Sequence, residues 1–155
     1  MLLTIDVGNT NITMGAFVGE FLPGMFRMTT KRQRTSDEYG MTICGILEHR
    51  GIDPKEINAV IIASVVPDIM HSLTSGIIKY LGITPVIVSH ETLSGIRVNT
   101  EHPSRTGADR IVNAVAGYEI AKGPVIVIDF GTATTYDLIG PDGTLEACII
   151  APGIE

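Results

Sequence analysis

One phrase occurs twice in this chain, as Ile5-Asp6-Val7-Gly8-Asn9-Thr10-Asn11 and again as Ile128-Asp129-Phe130-Gly131-Thr132-Ala133-Thr134. Each copy is an apolar run that ends in Asp-x-Gly and passes through hydroxyl and amide residues before strand-like sequence resumes. A repeat of this kind implies duplicated architecture. Each copy reads as a strand that delivers a carboxylate to its tip, turns on glycine and returns as the second arm of a hairpin. Two such hairpins facing each other are expected to hold a nucleotide's phosphates and their metal. A lone Asp-x-Gly would be read as a strand-end Asp stabilising its own turn. Its recurrence at Asp129, in register with the strand pattern, reverses that preference.

The segments around the repeat describe a mixed sheet with helices against it. Leu2 to Val7, Ile12 to Val18 and Phe21 to Met28 form an antiparallel meander, with Gly19-Glu20 at the second turn. Ser36 is the expected N-cap of a helix with Tyr39, Ile43, Ile46 and Leu47 on one face, stopped at Arg50-Gly51. Asn58 to Ser64 is a nearly continuous apolar run, as in a central strand covered on both faces. Pro67 opens a second helix with Ile69, Leu73, Ile77 and Leu81 inward, ending near Gly82, and Pro85 to Ser89 is a further strand. The order is β-β-β-α-β-α-β. From Leu93 to Arg105 the pattern lapses into an irregular polar connection. Thr106 then caps a helix to about Ala121, stopped by Lys122-Gly123-Pro124. Val125 to Asp129, Thr134 to Ile139 and Leu145 to Ile150, with a Pro141-Asp142-Gly143 turn, repeat the opening meander. Residues 1–121 are therefore expected to form a first domain with its connecting helix, and 122–155 the opening meander of an incomplete second one whose covering helices are missing.

With 155 residues, 45% hydrophobic, and a mean hydropathy of +0.30, the chain is expected to fold as a soluble globular protein with a real core. Its 11 Lys and Arg against 17 Asp and Glu give a net charge of -6 and no basic footprint for nucleic acid. Met1-Leu2-Leu3 leads directly into an Asp-bearing strand, and no apolar run approaches a membrane span, so a cytoplasmic location without a membrane partner is expected. Cys44 and Cys148 match no zinc or redox spacing, and the four histidines form no ligand pair at helical spacing.

Two constellations carry the chemistry. In the first, Gly8 lets backbone amides approach an anion, Asn9 and Thr10 add side-chain donors, and Asp6 is expected to hold Mg²⁺ directly or through water. In the second, Gly107-Ala108-Asp109-Arg110 opens the long helix after the irregular loop. Asp in a first turn complements the helix dipole, and an Arg nearby is ordinarily a solvated surface residue. The position before the second hairpin instead suits Asp109 for meeting a substrate hydroxyl at the γ-phosphate, with Arg110 as a carboxylate partner. No P-loop, Gly-x-Gly-x-x-Gly turn or protein-kinase glycine loop occurs, so nucleotide binding falls to the hairpins.

The duplicated unit resembles the acetate and sugar kinase, heat-shock chaperone and actin superfamily, an α/β fold of ribonuclease H-like (actin-like ATPase) type. Within it, Asp6 to Thr10, Gly107 to Arg110, Asp129 to Thr135 with Asp137, and Ile150-Ala151-Pro152-Gly153 together resemble the type III pantothenate kinase family. The resemblance implies ATP-dependent phosphorylation of pantothenate, the first step towards coenzyme A. It implies that Asp6, Val7, Gly8, Asn9, Thr10, Asn11, Ile12 and Thr13 contact ATP, with Mg²⁺ held by Asp6 through water, and that Thr132 contacts ATP as well. Gly107, Ala108, Asp109 and Arg110 would bind pantothenate together with position 100, and Asp109 would be the proton acceptor. Asp129 would bind a monovalent cation, K⁺ or NH₄⁺, and the protein would be a homodimer. The sequence departs from the family pattern at Thr100, where a tyrosine is usual, at His102 for asparagine, and at Ala147-Cys148 for a glycine pair. These departures keep one alternative open, a catalytically silent accessory paralogue of the same fold. Because the second domain reads as incomplete, the activity is expected of the parent protein and not of this fragment by itself.

Overall fold

The computed structural model describes residues 1–92 and 95–153, and it separates into two compact units, Met1–Ile87 and Val88–Glu155. In the first unit, strands β1 (Leu2–Val7), β2 (Asn11–Val18), β3 (Phe21–Thr29), β4 (Ala59–Ser64) and β5 (Val86–Ile87) form one sheet in the order β3-β2-β1-β4-β5. β1 runs antiparallel to β2 and parallel to β4, so the N-terminal meander and the crossover strands share a single sheet. Helices α1 (Ser36–His49) and α2 (Met70–Leu81) bring Tyr39, Ile43, Leu47, Leu73 and Ile77 into one core with Leu3, Ile5 and Val7, Ile12 and Met14, and Ile62. Alternation along β1 and β2 puts these residues on one face, and each buried aliphatic side chain contributes about 1.5–3 kcal/mol of transfer free energy.

Helix starts differ from expectation in ways the local chemistry explains. Thr35, not Ser36, caps α1: its Oγ1 accepts from the Glu38 amide while the Glu38 carboxylate accepts from the Thr35 amide, a reciprocal capping box. Pro67 begins a 3₁₀ turn, Pro67–Ile69, and α2 follows it. α2 ends as expected at Gly82 in the left-handed conformation. The strand expected over 85–89 contracts to Val86–Ile87, because only Ile61 and Ile62 of β4 pair with it.

In the second unit, β6 (Arg97–Val98), β7 (Val125–Phe130), β8 (Ala133–Ile139) and β9 (Thr144–Pro152) form a sheet in the order β6-β9-β8-β7. The connection expected to be irregular therefore contains a two-residue strand parallel to β9 and a 3₁₀ turn, Pro103–Arg105, while its expected start at Leu93 lies outside the described residues. Helix α3 (Ala108–Ala121) is preceded by Gly107 as N-cap. Thr106 is not its cap; its amide closes the 3₁₀ turn on the Pro103 carbonyl and its hydroxyl pairs with that of Thr100 at 2.8 Å. α3 packs against β7, β8 and β9, through Ala114 on Ile139 and Leu145, and so belongs by its contacts to the unit that holds the second hairpin. Lys122, left-handed at φ 53°, ends it.

The duplication is visible residue by residue. Leu3, Ile5 and Val7 face Ala16, Met14 and Ile12 across β1 and β2; Ile126, Ile128 and Phe130 face Leu138, Tyr136 and Thr134 across β7 and β8. The first set is the core of its unit, whereas Ile126 and Phe130 are 61% and 67% exposed, as is Ile149 of β9 at 62%. The helix-covered face of the first unit thus has an apolar counterpart in the second that stands open to solvent.

Candidate active site

Asp6 sits one residue before the end of β1 with Thr13 of β2 directly opposite it, and Asp129 of β7 stands in the same relation to Thr135 of β8. Directly paired residues on antiparallel strands point to the same face, so each hairpin presents a carboxylate beside a threonine. The turns differ in length. The first takes Gly8, Asn9 and Thr10 between its strands; the second needs only Gly131 and Thr132. The Gly8 amide donates to the Asn11 carbonyl at 3.0 Å and the Gly131 amide to the Ala133 carbonyl at 3.1 Å.

In the first hairpin Asp6, Asn9, Thr10 and Asn11 are exposed at the tip, while Val7 and Ile12 turn into the core and offer only backbone groups. Thr30, which sequence reasoning missed, fixes this tip: its hydroxyl donates to the Gly8 carbonyl at 2.7 Å and its amide to the Thr10 carbonyl at 2.9 Å. In the second hairpin the missed residue is Asn113 of α3, whose side-chain amide donates to Asp129 Oδ2 at 3.2 Å. Gly153 completes the second tip. A Cβ there would lie 2.5 Å from the Thr132 carbonyl and 2.9 Å from that of Gly131, so only glycine lets the end of β9 run this close to the loop.

At the start of α3, the half-buried Asp109 accepts a hydrogen bond from the Arg110 amide at 2.8 Å. Burial raises its carboxyl above the ordinary aspartate value, with the carboxylates of Asp137 and Asp129 adding to the rise and the Arg110 amide and guanidinium opposing it. Arg110 itself is only 4% exposed. Its Nε donates to Oδ1 of the fully buried Asp137 at 2.7 Å, and its Nη2 to the Ile149 carbonyl at 2.8 Å. Among the described residues, Asp137 Oδ2, Thr135 Oγ1 and Thr144 Oγ1 are buried without a hydrogen-bond partner. Cys148, directly across from Asp137 on β9, has its thiol pushed up to about 12, by burial first and by the Asp137 carboxylate second.

A cavity of about 380 Å³ lies within the second unit, and Thr100, Gly107 and Arg110 all line it. Three residues predicted to bind substrate are therefore brought to one place. Ala147 and Cys148 line the same cavity, so the two departures from a glycine pair put side chains on its wall, with Arg105 and His102 also around it. Asp137, named with the second-hairpin motif, stands at an inward position of β8; for Arg105, Asn113 and Thr30 no local signal exists.

The model of the type III pantothenate kinase family matches residues 2–155 of this sequence. The chain belongs to the type III pantothenate kinase family. Over 155 residues it is 55% identical to the type III pantothenate kinase of Agathobacter rectalis, and over 154 residues 48% identical to that of Moorella thermoacetica. These alignments cover 100% and 99% of this chain, which spans about 60% of the length of those relatives. Among solved structures, the reductive activator for a corrinoid, iron-sulfur protein aligns over 97% of this chain and 31% of its own, with a TM-score of 0.60 and 15% identity. An ethanolamine utilization protein from Carboxydothermus hydrogenoformans aligns over 97% and 51%, with a TM-score of 0.53 and 14% identity. At such identities the likeness concerns the fold, which is of the actin-like ATPase and sugar kinase type. No helix among the described residues is long and apolar enough to cross a membrane.

Proposed function

We propose that the protein of which this chain forms part phosphorylates pantothenate from ATP, giving 4'-phosphopantothenate on the route to coenzyme A, with Asp109 as proton acceptor. Family membership supports the reaction class, and the observation that carries the assignment of the base is the place of Asp109 in the first turn of α3, in sequence between Gly107 and Arg110, which both line the cavity although Asp109 itself is not among its lining residues. An aspartate is a weak base for a free alcohol. In a loose phosphoryl-transfer transition state, however, the hydroxyl proton leaves late, and Asp109 need only orient the oxygen and then accept that proton. The raised carboxyl makes it a better acceptor at the moment of transfer than a solvated aspartate.

The first hairpin, Asp6 to Thr13, is assigned to the ATP phosphates, and Thr132 of the second hairpin contacts ATP. Asp6 suits Mg²⁺ bound through water: it is a single exposed carboxylate next to hydroxyl and amide groups, and among the described residues no group of three or more His, Cys, Asp or Glu forms a metal cage. That donor set fits a hard ion carried mainly by phosphates, which when bound neutralises charge on the transferring group. Asp129, oriented by Asn113, suits a monovalent cation, K⁺ or NH₄⁺, held with nearby hydroxyl and carbonyl oxygens. Thr100, Gly107, Ala108, Asp109 and Arg110 form the pantothenate side. The reading includes two actin-like domains, with α3 assigned by its contacts to the second, a homodimer, and a cytoplasmic location.

The test is transfer of phosphate from ATP to pantothenate with Mg²⁺, in K⁺ against Na⁺, with the Agathobacter rectalis relative run alongside. Formation of 4'-phosphopantothenate that depends on K⁺ supports the reading. A folded full-length protein that binds ATP and leaves pantothenate untouched, while the relative turns over, favours the accessory role.

A further inference from the structure

The acceptor cavity has an uneven charge balance. Arg110, Arg105, Glu101 and Glu146 all line it. Arg110 is already neutralised: Asp137 takes its Nε at 2.7 Å, the Ile149 carbonyl takes its Nη2 at 2.8 Å, and both members of the ion pair are buried. A guanidinium paired in this way has lost most of its attraction for a second carboxylate. An anion entering the cavity would then meet Glu101 and Glu146 with no cation to offset them, unless another is available.

Arg105 is that cation. Its side chain is exposed and makes no ion pair or hydrogen bond among the described residues. Its position is fixed by the backbone. The Arg105 amide donates to the His102 carbonyl at 2.9 Å, and the hydroxyl pair Thr100 with Thr106 ties the two ends of the 3₁₀ segment together at 2.8 Å. Arg105 therefore stands on a braced turn that lines the cavity, as do Gly107, the N-cap of α3, and Arg110 in its first turn, with Asp109 next to Arg110 in sequence but not itself among the lining residues. An acceptor with a hydroxyl at one end and a carboxylate at the other, as pantothenate has, matches the separation of roles.

We infer that Arg105 reads the acceptor's carboxylate, and that Arg110 is committed to Asp137. This deepens the acceptor assignment above and rests on it. The specificity it confers is for an anionic end over a neutral one, since a guanidinium offers a carboxylate two parallel donors that an alcohol cannot use fully.

The test is calorimetric binding of pantothenate and of its neutral primary-alcohol analogue panthenol to the chain, to Arg105→Gln and to Arg105→Lys. The wild type is expected to prefer pantothenate. Arg105→Gln is expected to weaken pantothenate roughly tenfold while leaving panthenol unchanged, and Arg105→Lys to restore most of the preference. An unchanged preference in Arg105→Gln, or a wild type that binds both compounds equally, overturns the role of Arg105 and leaves the acceptor assignment standing. A wild type that binds neither overturns the acceptor assignment, and this inference with it.

Discussion

Arg110 donates through Nε to Asp137 Oδ1 at 2.7 Å, joining the first turn of α3 to the middle of β8 in a place closed to solvent. Removing one partner strands the other as a buried, uncompensated charge, which costs about 3–5 kcal/mol. Asp137→Leu alone is therefore expected to destabilise the chain by that amount in urea. The double variant Arg110→Met with Asp137→Leu is expected to cost clearly less than the sum of the two single changes. Additive costs would contradict the pairing.

Asp109 links stability to pH. Folding raises its carboxyl, chiefly by burial, so ionising it works against the folded state. Below its unfolded value of about 4, both states hold the proton and the penalty is absent; it grows as pH rises through the folded value and is complete above it. Asp109→Asn is accordingly expected to raise the urea midpoint at neutral pH, with the gain fading at pH about 3. An asparagine variant less stable than wild type at neutral pH contradicts this.

The meanders could be read from sequence because apolar-rich runs of strand length are separated by turns that carry their own punctuation, Gly19-Glu20 and Pro141-Asp142-Gly143. The helix caps were misplaced by a residue or so because Thr35 with Ser36, and Thr106 with Gly107, offer adjacent candidates, and only the reach of the Glu38 carboxylate or of the Thr100 hydroxyl decides between them. β6 was illegible: two residues in a polar stretch become a strand only because β9 lies alongside. The site showed the same division. Asp6, Asp109 and Asp129 announce themselves by motif, whereas the commitment of Arg110 depends on Asp137, distant in sequence and brought close by the α3–β8 packing. Thr30 and Asn113 act by holding a turn or a carboxylate, which leaves no periodic trace.

Two glycines on the helices of the first unit should respond oppositely to alanine. A Cβ on Gly76 of α2 would sit 2.5 Å from the Ser36 carbonyl of α1, so Gly76→Ala must push the helices apart at a cost of about 1–3 kcal/mol. A Cβ on Gly45 meets nothing within 4 Å, and Gly45→Ala should add about 0.5–1 kcal/mol through helix propensity alone. Thermal unfolding of the two variants checks both signs, and a destabilised Gly45→Ala would show that α1 is covered there.

Cys148 is expected to be inert in the folded chain. Its thiol, pushed up to about 12 beside Asp137, supplies almost no thiolate near pH about 8, and the thiolate is the form that reacts. Iodoacetamide should leave Cys148 unmodified in the native chain and label it after denaturation, as read by peptide mass spectrometry. Native labelling as fast as denatured labelling would place the thiol outside the pocket described.

In the proposed reaction Asp109 accepts the proton of the hydroxyl being phosphorylated. The most direct measurement is phosphate transfer from γ-labelled ATP to saturating pantothenate by the wild type and by Asp109→Asn, with pantothenate binding measured on both. The variant is expected still to bind pantothenate while its transfer rate falls by about 10²–10⁴. With both proteins measured at full length, a variant that keeps its rate within a few-fold, or a wild type that binds both substrates and transfers nothing, would contradict that role.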